Sequence, residues 1–317
     1  MRLSRWIAVT AVGTLALALA GCGGSKDEPD RPAPSASSVP TLPSKGPAFP
    51  VKVGSVTLDK QPTKVISLSP TATEMLFAIG AGSQVAAVDD QSTFPAEAPR
   101  SNLSGFKPNA EAIAGRSPDL VVVSNDTDQI VSALTALKIP VYLAAAAKTL
   151  DDTYRQLTEL GALTGRSVES ADVVNRMRDD IGKLSKDLAP RTRKLTYYYE
   201  LDPTFYTATS KTFVGTVLAL FGLANIADPA DTTGSGYPQL SAEAIVKANP
   251  DLIFLADSKC CQQSAATVAA RPGWAQMTAV TGGGVVALDD DVASRWGPRV
   301  VDLVRAVSGA VAKAPVR

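Results

Sequence analysis

The sequence contains no histidine and only three cysteines, and this composition excludes several kinds of catalytic and metal site. Without histidine, the chain cannot form a histidine-dependent catalytic triad, a histidine acid–base pair or most kinds of zinc site. Lysine plus arginine equal aspartate plus glutamate at 31 each, so the formal net charge is zero. No basic cluster stands out, and nucleic acid is therefore not an expected partner.

The first residues do carry a clear signal. Two arginines precede an apolar run, Trp6 to Ala20, which ends in Leu-Ala-Gly-Cys22. This pattern predicts a signal peptide that is removed from the mature protein. The last four residues resemble the bacterial lipoprotein signal, which implies a lipid on Cys22 and an anchor on the extracytoplasmic face of the cell membrane. An ordinary secretory signal is the alternative.

A segment of fifteen residues occurs twice in the chain. Residues 109–123 and 241–255 are identical at seven positions, including a glutamate, an isoleucine and a Pro-Asp-Leu. Each copy predicts a capped helical turn, a proline that ends the helix, and a buried parallel strand. One supersecondary unit used twice indicates two similar α/β lobes with a ligand cleft between them.

Strand-like and helix-like segments alternate along most of the chain, which predicts an α/β fold with mostly parallel sheets flanked by helices. Residues 152–188 break this alternation with apolar residues at three- to five-residue steps. We interpret them as one long amphipathic helix that joins the lobes, with Gly165 as the place for a kink. Two shorter helices within one lobe are the alternative. The predicted organisation is a signal peptide at 1–21, a lipid-attached disordered linker at 22–50, an N-terminal lobe at 51–150, a linking helix at 151–190 and a C-terminal lobe at 191–317.

The opening of the folded region has a family resemblance. Val65-Ile-Ser-Leu-Ser-Pro-Thr-Ala-Thr-Glu74 and Gly80-Ala-Gly82 resemble the start of the iron–siderophore and vitamin B12 class of ABC-transporter substrate-binding proteins. The two Pro-Asp-Leu segments and the ending Ser294-Arg-Trp-Gly-Pro-Arg299 are similar to the same class, and the resemblance covers 60–312. The chain is most similar to the cobalamin-binding branch. This resemblance implies two lobes joined by one rigid helix, with the ligand between them and little hinge closure.

The repeat places Glu111 or Glu243 in the first helical turn after an Asn109 or Ser241 cap, where the helix dipole favours negative charge. In the family, one exposed glutamate at the apex of each lobe engages an arginine pocket on one copy of a homodimeric permease, which works with an ATPase. The resemblance therefore implies that Glu111 and Glu243 dock the protein to its permease. The alternative is that each glutamate only stabilises its helix dipole, as in many helices. A glutamate at the same place in both lobes favours docking.

The ligand is expected where loops at the strand ends of the two lobes face each other. The resemblance implies that aromatic residues flank the corrin and that Asp291 and Arg295 match an Asp–Arg pair of the cobalamin branch. That branch carries other aromatics at the positions of Phe94 and Tyr237, and core packing is the alternative for each aromatic. The predicted ligand-binding residues are Phe94, Phe106, Tyr206, Tyr237, Asp291, Arg295 and Trp296.

The cysteines and a run of aspartates have competing interpretations. If Cys22 is acylated, Cys260 and Cys261 have only each other as partners in an oxidising compartment, which predicts a vicinal disulfide. Two loop thiols are the alternative, and a metal site lacks further Cys or His ligands. The run Asp289-Asp290-Asp291 is more typical of a solvated loop than of a metal site, so no metal is predicted.

These features predict a monomeric, lipid-anchored binding protein that delivers a corrinoid (vitamin B12) to an ABC importer, without enzyme activity or a cofactor of its own. A ferric siderophore or haem is the alternative ligand. Arginines lining the cleft would favour an anionic ferric chelate, whereas an aromatic, near-neutral cleft favours cobalamin. A non-transporting sensor lipoprotein is a further alternative. An enzyme using the Asp289–Asp291 carboxylates lacks both histidine and a Gly-x-Ser-x-Gly motif.

Overall fold

The computed structural model describes residues 49–186 and 192–314. The signal peptide predicted at 1–21, Cys22 and nearly all of the predicted linker lie outside these residues. Among the described residues, no helix combines the length and the apolar character needed to span a bilayer.

The N-terminal lobe contains an antiparallel hairpin and a five-stranded parallel sheet. Its strands are β1 (Val51–Val53), β2 (Val56–Leu58), β3 (Val65–Leu68), β4 (Val85–Asp89), β5 (Arg100–Leu103), β6 (Leu120–Val123) and β7 (Val141–Leu143), and its helices are α1 (Pro70–Ala78), α2 (Ala110–Ala114) and α3 (Ile130–Ala136). β1 pairs with β2, and the other strands follow the order β5-β4-β3-β6-β7. β6 consists of Leu-Val-Val-Val and is buried at all four positions, as a parallel strand covered on both faces requires.

Two helices follow where the sequence predicted one, so the single long helix is wrong. They are α4 (Leu150–Thr164) and α5 (Ser167–Lys186). Gly165 between them has φ +72°, a left-handed conformation that ends α4 and favours glycine. The Arg178 guanidinium then lies 4.7 Å above the Tyr154 ring. A continuous helix would separate these two residues by about 36 Å, so α5 runs back along α4.

Gly161 allows this close pairing of α4 and α5. A Cβ atom on Gly161 would lie 2.5 Å from the Cβ of Ser170, which is too close for any other residue. α4 also packs on β1 and α1, whereas α5 packs on the last helix of the chain. α5 thus contacts α4 on one side and the last helix of the C-terminal lobe on the other.

The C-terminal lobe contains a four-stranded parallel sheet in the order β11-β10-β8-β9. Its strands are β8 (Thr196–Glu200), β9 (Ala224–Asn225), β10 (Leu252–Leu255) and β11 (Val285–Ala287), and its helices are α6 (Phe213–Ala219), α7 (Ala242–Ala248), α8 (Ala265–Ala269), α9 (Thr278–Thr281), α10 (Asp290–Ser294) and α11 (Val300–Lys313). The predicted α/β class with parallel sheets and flanking helices is confirmed. The boundaries assigned to the lobes stay a prediction.

One hydrophobic core runs through both lobes. It contains Leu76 of α1, Leu160 of α4, Met177 of α5, Tyr199 of β8 and Val304 of α11, all less than 5% exposed. Because the faces of both sheets share this core with α4, α5 and α11, a wide hinge motion of the lobes would expose apolar surface.

Both copies of the repeat form the predicted capped helix and buried strand. The Asn109 side chain accepts a hydrogen bond from the Ala112 amide at 2.9 Å, and the Ser241 hydroxyl accepts one from the Ala244 amide at 3.1 Å. The isoleucine of each copy is fully buried.

The aspartate in each Pro-Asp-Leu segment has a structural role. Asp119 accepts hydrogen bonds from the amides of Thr63 and Lys64 at 2.8 and 3.1 Å, just before β3. Asp251 accepts one from the Thr196 amide at 2.8 Å, at the start of β8. Each copy thereby fixes the beginning of the neighbouring strand, which explains why the repeat retains an aspartate after the proline.

Candidate functional site

Four predicted aromatic residues are exposed on loops at the carboxyl ends of the strands. Phe94 and Phe106 follow β4 and β5 and are 44% and 72% exposed. Tyr206 follows β8, is 44% exposed and forms an antiparallel bridge with Gln239. Tyr237 lies two residues before Gln239 and is 53% exposed. Large apolar side chains at this exposure are not core residues, so the packing alternative does not apply to these four.

Trp296 is held differently from the other aromatics. Its indole N–H donates to the Gln156 side chain at 3.1 Å, and its carbonyl accepts from the Thr153 hydroxyl at 2.8 Å. The ring packs against the shared core. The structure therefore favours packing for Trp296 rather than ligand contact.

Arg295 joins the two lobes through an ion-pair network. Its guanidinium contacts the Asp291 carboxylate at 2.7 Å and the Glu74 carboxylate at 2.8 Å. It also donates to the Gln91 carbonyl at 3.2 Å, in the loop after β4. The predicted pair of Asp291 and Arg295 is thus assembled at the junction of the lobes, with Arg295 mostly buried.

The sequence prediction missed two residues of this site, Arg299 and its partner Glu74. Glu74 is 3% exposed, and it also binds Arg299 through Nε at 2.9 Å and Nη2 at 2.5 Å. The one available signal was its isolation, because Glu74 is the single charged residue of α1. A lone charge in an apolar helix needs a partner when buried, and here it has two.

A niche of about 220 Å³ opens beside this network. The Arg299 guanidinium lies 4.3 Å above the Phe94 ring at its edge. The niche is lined by Glu74, Phe77, Ala78, Phe94, Pro95, Glu97, Pro298 and Arg299. Both lobes therefore contribute to a largely apolar surface that contains one exposed aromatic.

Each carboxylate of the aspartate run is used within the protein. Asp289 caps α10 by accepting from the Val292 amide at 3.2 Å, and it pairs with Lys259 at 2.7 Å. Asp290 accepts from the amides of Lys259 and Cys260 at 2.9 and 2.8 Å. The run therefore fastens the loop after β10 to the helix that carries Asp291.

Cys260 and Cys261 are free thiols in the structure, not the predicted vicinal disulfide. Their turn is held by hydrogen bonds from the Cys260 amide to Asp290 and from the Cys261 amide to the Asp257 carbonyl at 3.2 Å. A disulfide between adjacent residues distorts the intervening peptide, which would strain the hydrogen bonds of both cysteine amides. The hydrogen bond between the thiols raises the pKa of Cys260 to about 12, so it is protonated at neutral pH.

Glu111 and Glu243 are both exposed in the first turns of α2 and α7. The pKa of Glu243 is lowered by its own backbone N–H and by the Ser241 hydroxyl, so it is ionised at neutral pH. α2 follows β5 and therefore begins at the carboxyl edge of its sheet, and α7 begins after the loop that carries Tyr237. Each glutamate thus lies on the side of its lobe where the aromatic loops lie.

Asp257 forms a buried acidic pair with Glu200 at the carboxyl ends of β10 and β8. Both are fully buried, and Glu200 makes a two-point ion pair with Arg271 at 2.6 and 2.5 Å. Neither oxygen of Asp257 has a hydrogen-bond partner among the described residues. Burial, followed by the charge of Glu200, raises the pKa of Asp257 to about 7.

Asp257→Asn is expected to remove a pH dependence of stability. An unfolded aspartate titrates near pH ~4, so between ~4 and 7 the folded protein holds one more proton than the unfolded chain. The contribution of Asp257 to the free energy of unfolding is therefore greatest below pH ~4 and is lost as the pH rises to about 7. Urea unfolding at pH 5 and 8 should show the variant gaining about 1–4 kcal/mol relative to wild type at the higher pH. The chain has no histidine to titrate in this window. An equal difference at both pH values would contradict the assignment.

Two parallel sheets whose carboxyl-end loops carry exposed aromatics are typical of a protein that binds a small ligand at these loops. The sequence pattern of the periplasmic binding protein family matches residues 65–292, and the chain belongs to this family. It is a substrate-binding protein of the ABC-importer class, which confirms the resemblance seen in its sequence.

Several named proteins are similar to this chain. The chain is 29% identical to the uncharacterized ABC transporter substrate-binding lipoprotein YvrC of Bacillus subtilis, over 93% of each chain. It is 32% identical to a cobalamin-binding protein of Halobacterium salinarum, over 78% of this chain and 69% of the relative. The periplasmic vitamin B12 binding protein BtuF of Vibrio cholerae has a TM-score of 0.67 at 25% identity, covering 79% of this chain and 96% of its own. The periplasmic heme binding protein HutB of the same organism reaches 0.69 at 20% identity, over 78% and 98%, which shows the fold alone.

Proposed function

We propose that the protein binds a corrinoid in the cleft and delivers it to the homodimeric permease of an ABC importer. It does so from the extracytoplasmic face of the membrane, to which a lipid on Cys22 anchors it. Glu111 and Glu243 make the contacts to the permease. The name of the Bacillus subtilis relative supports the anchor, and those of the Halobacterium and Vibrio relatives support the ligand.

The observation that carries the proposal is the character of the cleft surface, which is aromatic and close to neutral. Arg295 and Arg299 are both paired with Glu74, and Arg295 also with Asp291. Lys259, the neighbouring lysine, pairs with Asp289. An anionic ferric chelate would find no unpaired cation among these three residues. A corrinoid such as cyanocobalamin has no net charge and offers a large flat ring to aromatic side chains.

The chemistry of binding follows from the exposed groups. Phe94 and Phe106 from one lobe and Tyr206 and Tyr237 from the other cover the faces and edges of the corrin, which lose contact with water. Asp291 is 32% exposed and accepts hydrogen bonds from the amide side chains of the ligand. The shared core holds the two sets of aromatics at a fixed separation, so little ordering accompanies binding.

The buried tyrosines of β8 are excluded as ligands to a haem iron. Tyr197, Tyr198 and Tyr199 are each no more than 1% exposed, and burial raises the pKa of all three hydroxyls. None of them can reach a haem iron from the sheet interior. Titration of purified protein with cyanocobalamin, haem and ferric siderophores tests the ligand directly, and tight binding of a ferric chelate without any corrinoid binding would refute the proposal.

Tyr237→Ala is expected to weaken cyanocobalamin binding by about 1–3 kcal/mol, because truncation of an aromatic anchor leaves part of the corrin in water. Tyr237→Trp keeps the aromatic surface and should bind at least as tightly as wild type. Val168→Ala changes an apolar residue of similar exposure at the start of α5 and serves as the control. Isothermal titration calorimetry measures all three, and an affinity unchanged by Tyr237→Ala would remove this residue from the site.

A further inference from the structure

Among the residues that the structure describes, Glu74 is the one carboxylate that binds both arginines of the lobe junction. It lies on α1 of the N-terminal lobe, and Arg295 and Arg299 come from the C-terminal lobe. Glu74 is 3% exposed, with both oxygens hydrogen-bonded to guanidinium groups. The arginine side chains are 11% and 19% exposed, so they are close to solvent while Glu74 is not.

The arginines also lie next to the surface proposed to receive the ligand. Arg299 stacks on Phe94 and lines the niche, and Arg295 binds Asp291 and the loop after β4. Their charge is hidden from a ligand only because Glu74 and Asp291 cancel it. Two carboxylates and two guanidinium groups together give no net charge.

We propose that Glu74 sets the ligand charge accepted by the cleft: it neutralises Arg295 and Arg299 and so excludes anionic ligands in favour of uncharged ones. Glu74 is a specificity-determining residue in this scheme, although it does not touch the ligand. This inference rests on the proposed corrinoid function. Without the Glu74 charge, the same fold would present a net positive site beside Phe94, suited to a carboxylate-bearing ligand.

Glu74→Gln tests the rule, because glutamine keeps the size of the side chain and removes its charge. The probes are cyanocobalamin and its monocarboxylic derivative, in which one propionamide is hydrolysed to a carboxylate. They differ in shape by one atom and in charge by one unit. Wild type should prefer the neutral probe, and Glu74→Gln should shift the affinity ratio by about tenfold or more toward the anionic one, less at high salt. A ratio cancels any general loss of affinity caused by structural damage.

Asp172→Asn is the control for the loss of one negative charge. Asp172 is exposed on α5 and does not line the niche, so the ratio should stay at the wild-type value. The double variant Glu74→Gln with Arg299→Gln restores neutrality and should return the ratio to that of wild type. A purely structural role for Glu74 predicts a lower melting temperature and weaker binding of both probes, with no shift in the ratio.

Asp291→Asn keeps the test decisive if Glu74→Gln does not fold. Asp291 is more exposed than Glu74, and its loss uncovers Arg295 from the other side. The ratio should then move in the same direction by a smaller factor. Unchanged ratios in the folded variants would overturn the charge rule and leave the corrinoid function standing. If wild type binds neither corrinoid, the proposed ligand is wrong. The rule is then decided with haem, whose two propionates make it anionic: Glu74→Gln must bind it more tightly than Asp172→Asn does.

Discussion

Replacing Glu111 and Glu243 together with alanine is expected to abolish importer-dependent uptake while leaving corrinoid affinity unchanged. Both residues are exposed in the first turns of short helices that are anchored by a side-chain cap and a buried isoleucine. Their position is therefore fixed by the scaffold rather than by their own contacts. An arginine pocket on the permease that is built for a carboxylate would be left buried and unpaired, which costs about 2–5 kcal/mol at each contact.

Single replacements should each reduce uptake as well. When one glutamate is bound, the rigid core holds the other near its own pocket, so the second contact forms at a high effective concentration. Glu111→Gln with Glu243→Gln should behave like the alanine pair, because the charge rather than the length of the side chain is recognised. Uptake of labelled cobalamin into proteoliposomes that contain the permease and its ATPase measures these effects.

Asp172→Ala with Asp179→Ala is the control for a general loss of negative charge. Both aspartates are exposed on α5, away from the carboxyl-end loops, and uptake should stay at the wild-type level. Normal uptake by the Glu111 and Glu243 double variant would leave these residues as dipole-stabilising surface groups only. A collapse of ligand binding in the same variant would place them in the binding site instead.

The repeat could be predicted in detail because its signals are local. A cap bonds an amide three residues later, and Pro118 or Pro250 restricts its neighbour whatever the surrounding fold. The buried strands of Leu, Val, Ile and Phe were equally clear, since a strand covered on both faces needs a continuous apolar run. The topology predicted where the ligand loops lie, because the carboxyl ends of parallel strands meet at one edge, and the family resemblance then indicated which aromatic residues to consider.

The helix at 151–190 could not be predicted correctly from periodicity. The same apolar stripe is expected in two arrangements. In one, a single long helix packs on the lobes; in the other, two antiparallel helices pack on the lobes and also on each other. Gly161 and Gly165 decided the outcome, and the role of Gly161 depends on its contact with Ser170 across the helix pair. That contact forms only after the chain has turned, so the sequence pattern alone does not reveal it.

The ion pairs of the site were the least predictable part. Arg295 and Arg299 were visible in the sequence, but their shared partner is Glu74, more than 200 residues earlier. No spacing rule connects residues at that distance. The same holds for Glu200 and Arg271, which are 71 residues apart. In both cases the useful signal was a single acidic residue within or at the end of an apolar element.

Arg271→Gln is expected to cause the largest loss of stability of any substitution considered, about 3–5 kcal/mol. Arg271 binds both oxygens of Glu200, which is fully buried, and its guanidinium lies 4.6 Å above the Trp274 ring. Removal leaves an uncompensated carboxylate inside the C-terminal lobe, next to Asp257. The lost contact with Trp274 adds to this cost.

Arg155→Gln provides the comparison for an exposed pair. Arg155 is 56% exposed and contacts Asp152 at 3.0 Å and Glu159 at 3.4 Å on the surface of α4. Exposed ion pairs of this kind contribute about 0–1 kcal/mol. Urea unfolding of both variants at the same pH should therefore separate them by several kcal/mol, with the ligand absent so that binding does not mask the difference.

Glu200→Gln in the Arg271→Gln background identifies the cause of that loss. If the cost comes from a buried charge without a partner, removing the charge should recover much of the stability, although the pair itself is not restored. Arg271 also donates a hydrogen bond to the Gln263 side chain at 2.7 Å. If the cost comes from the missing contacts of Arg271 with Trp274 and Gln263, the second substitution should recover nothing. If Arg271→Gln alone proves no less stable than Arg155→Gln, the Glu200 side chain does not remain as a buried, unpaired charge once Arg271 is gone. The buried acidic pair would then contribute little to the fold of the C-terminal lobe.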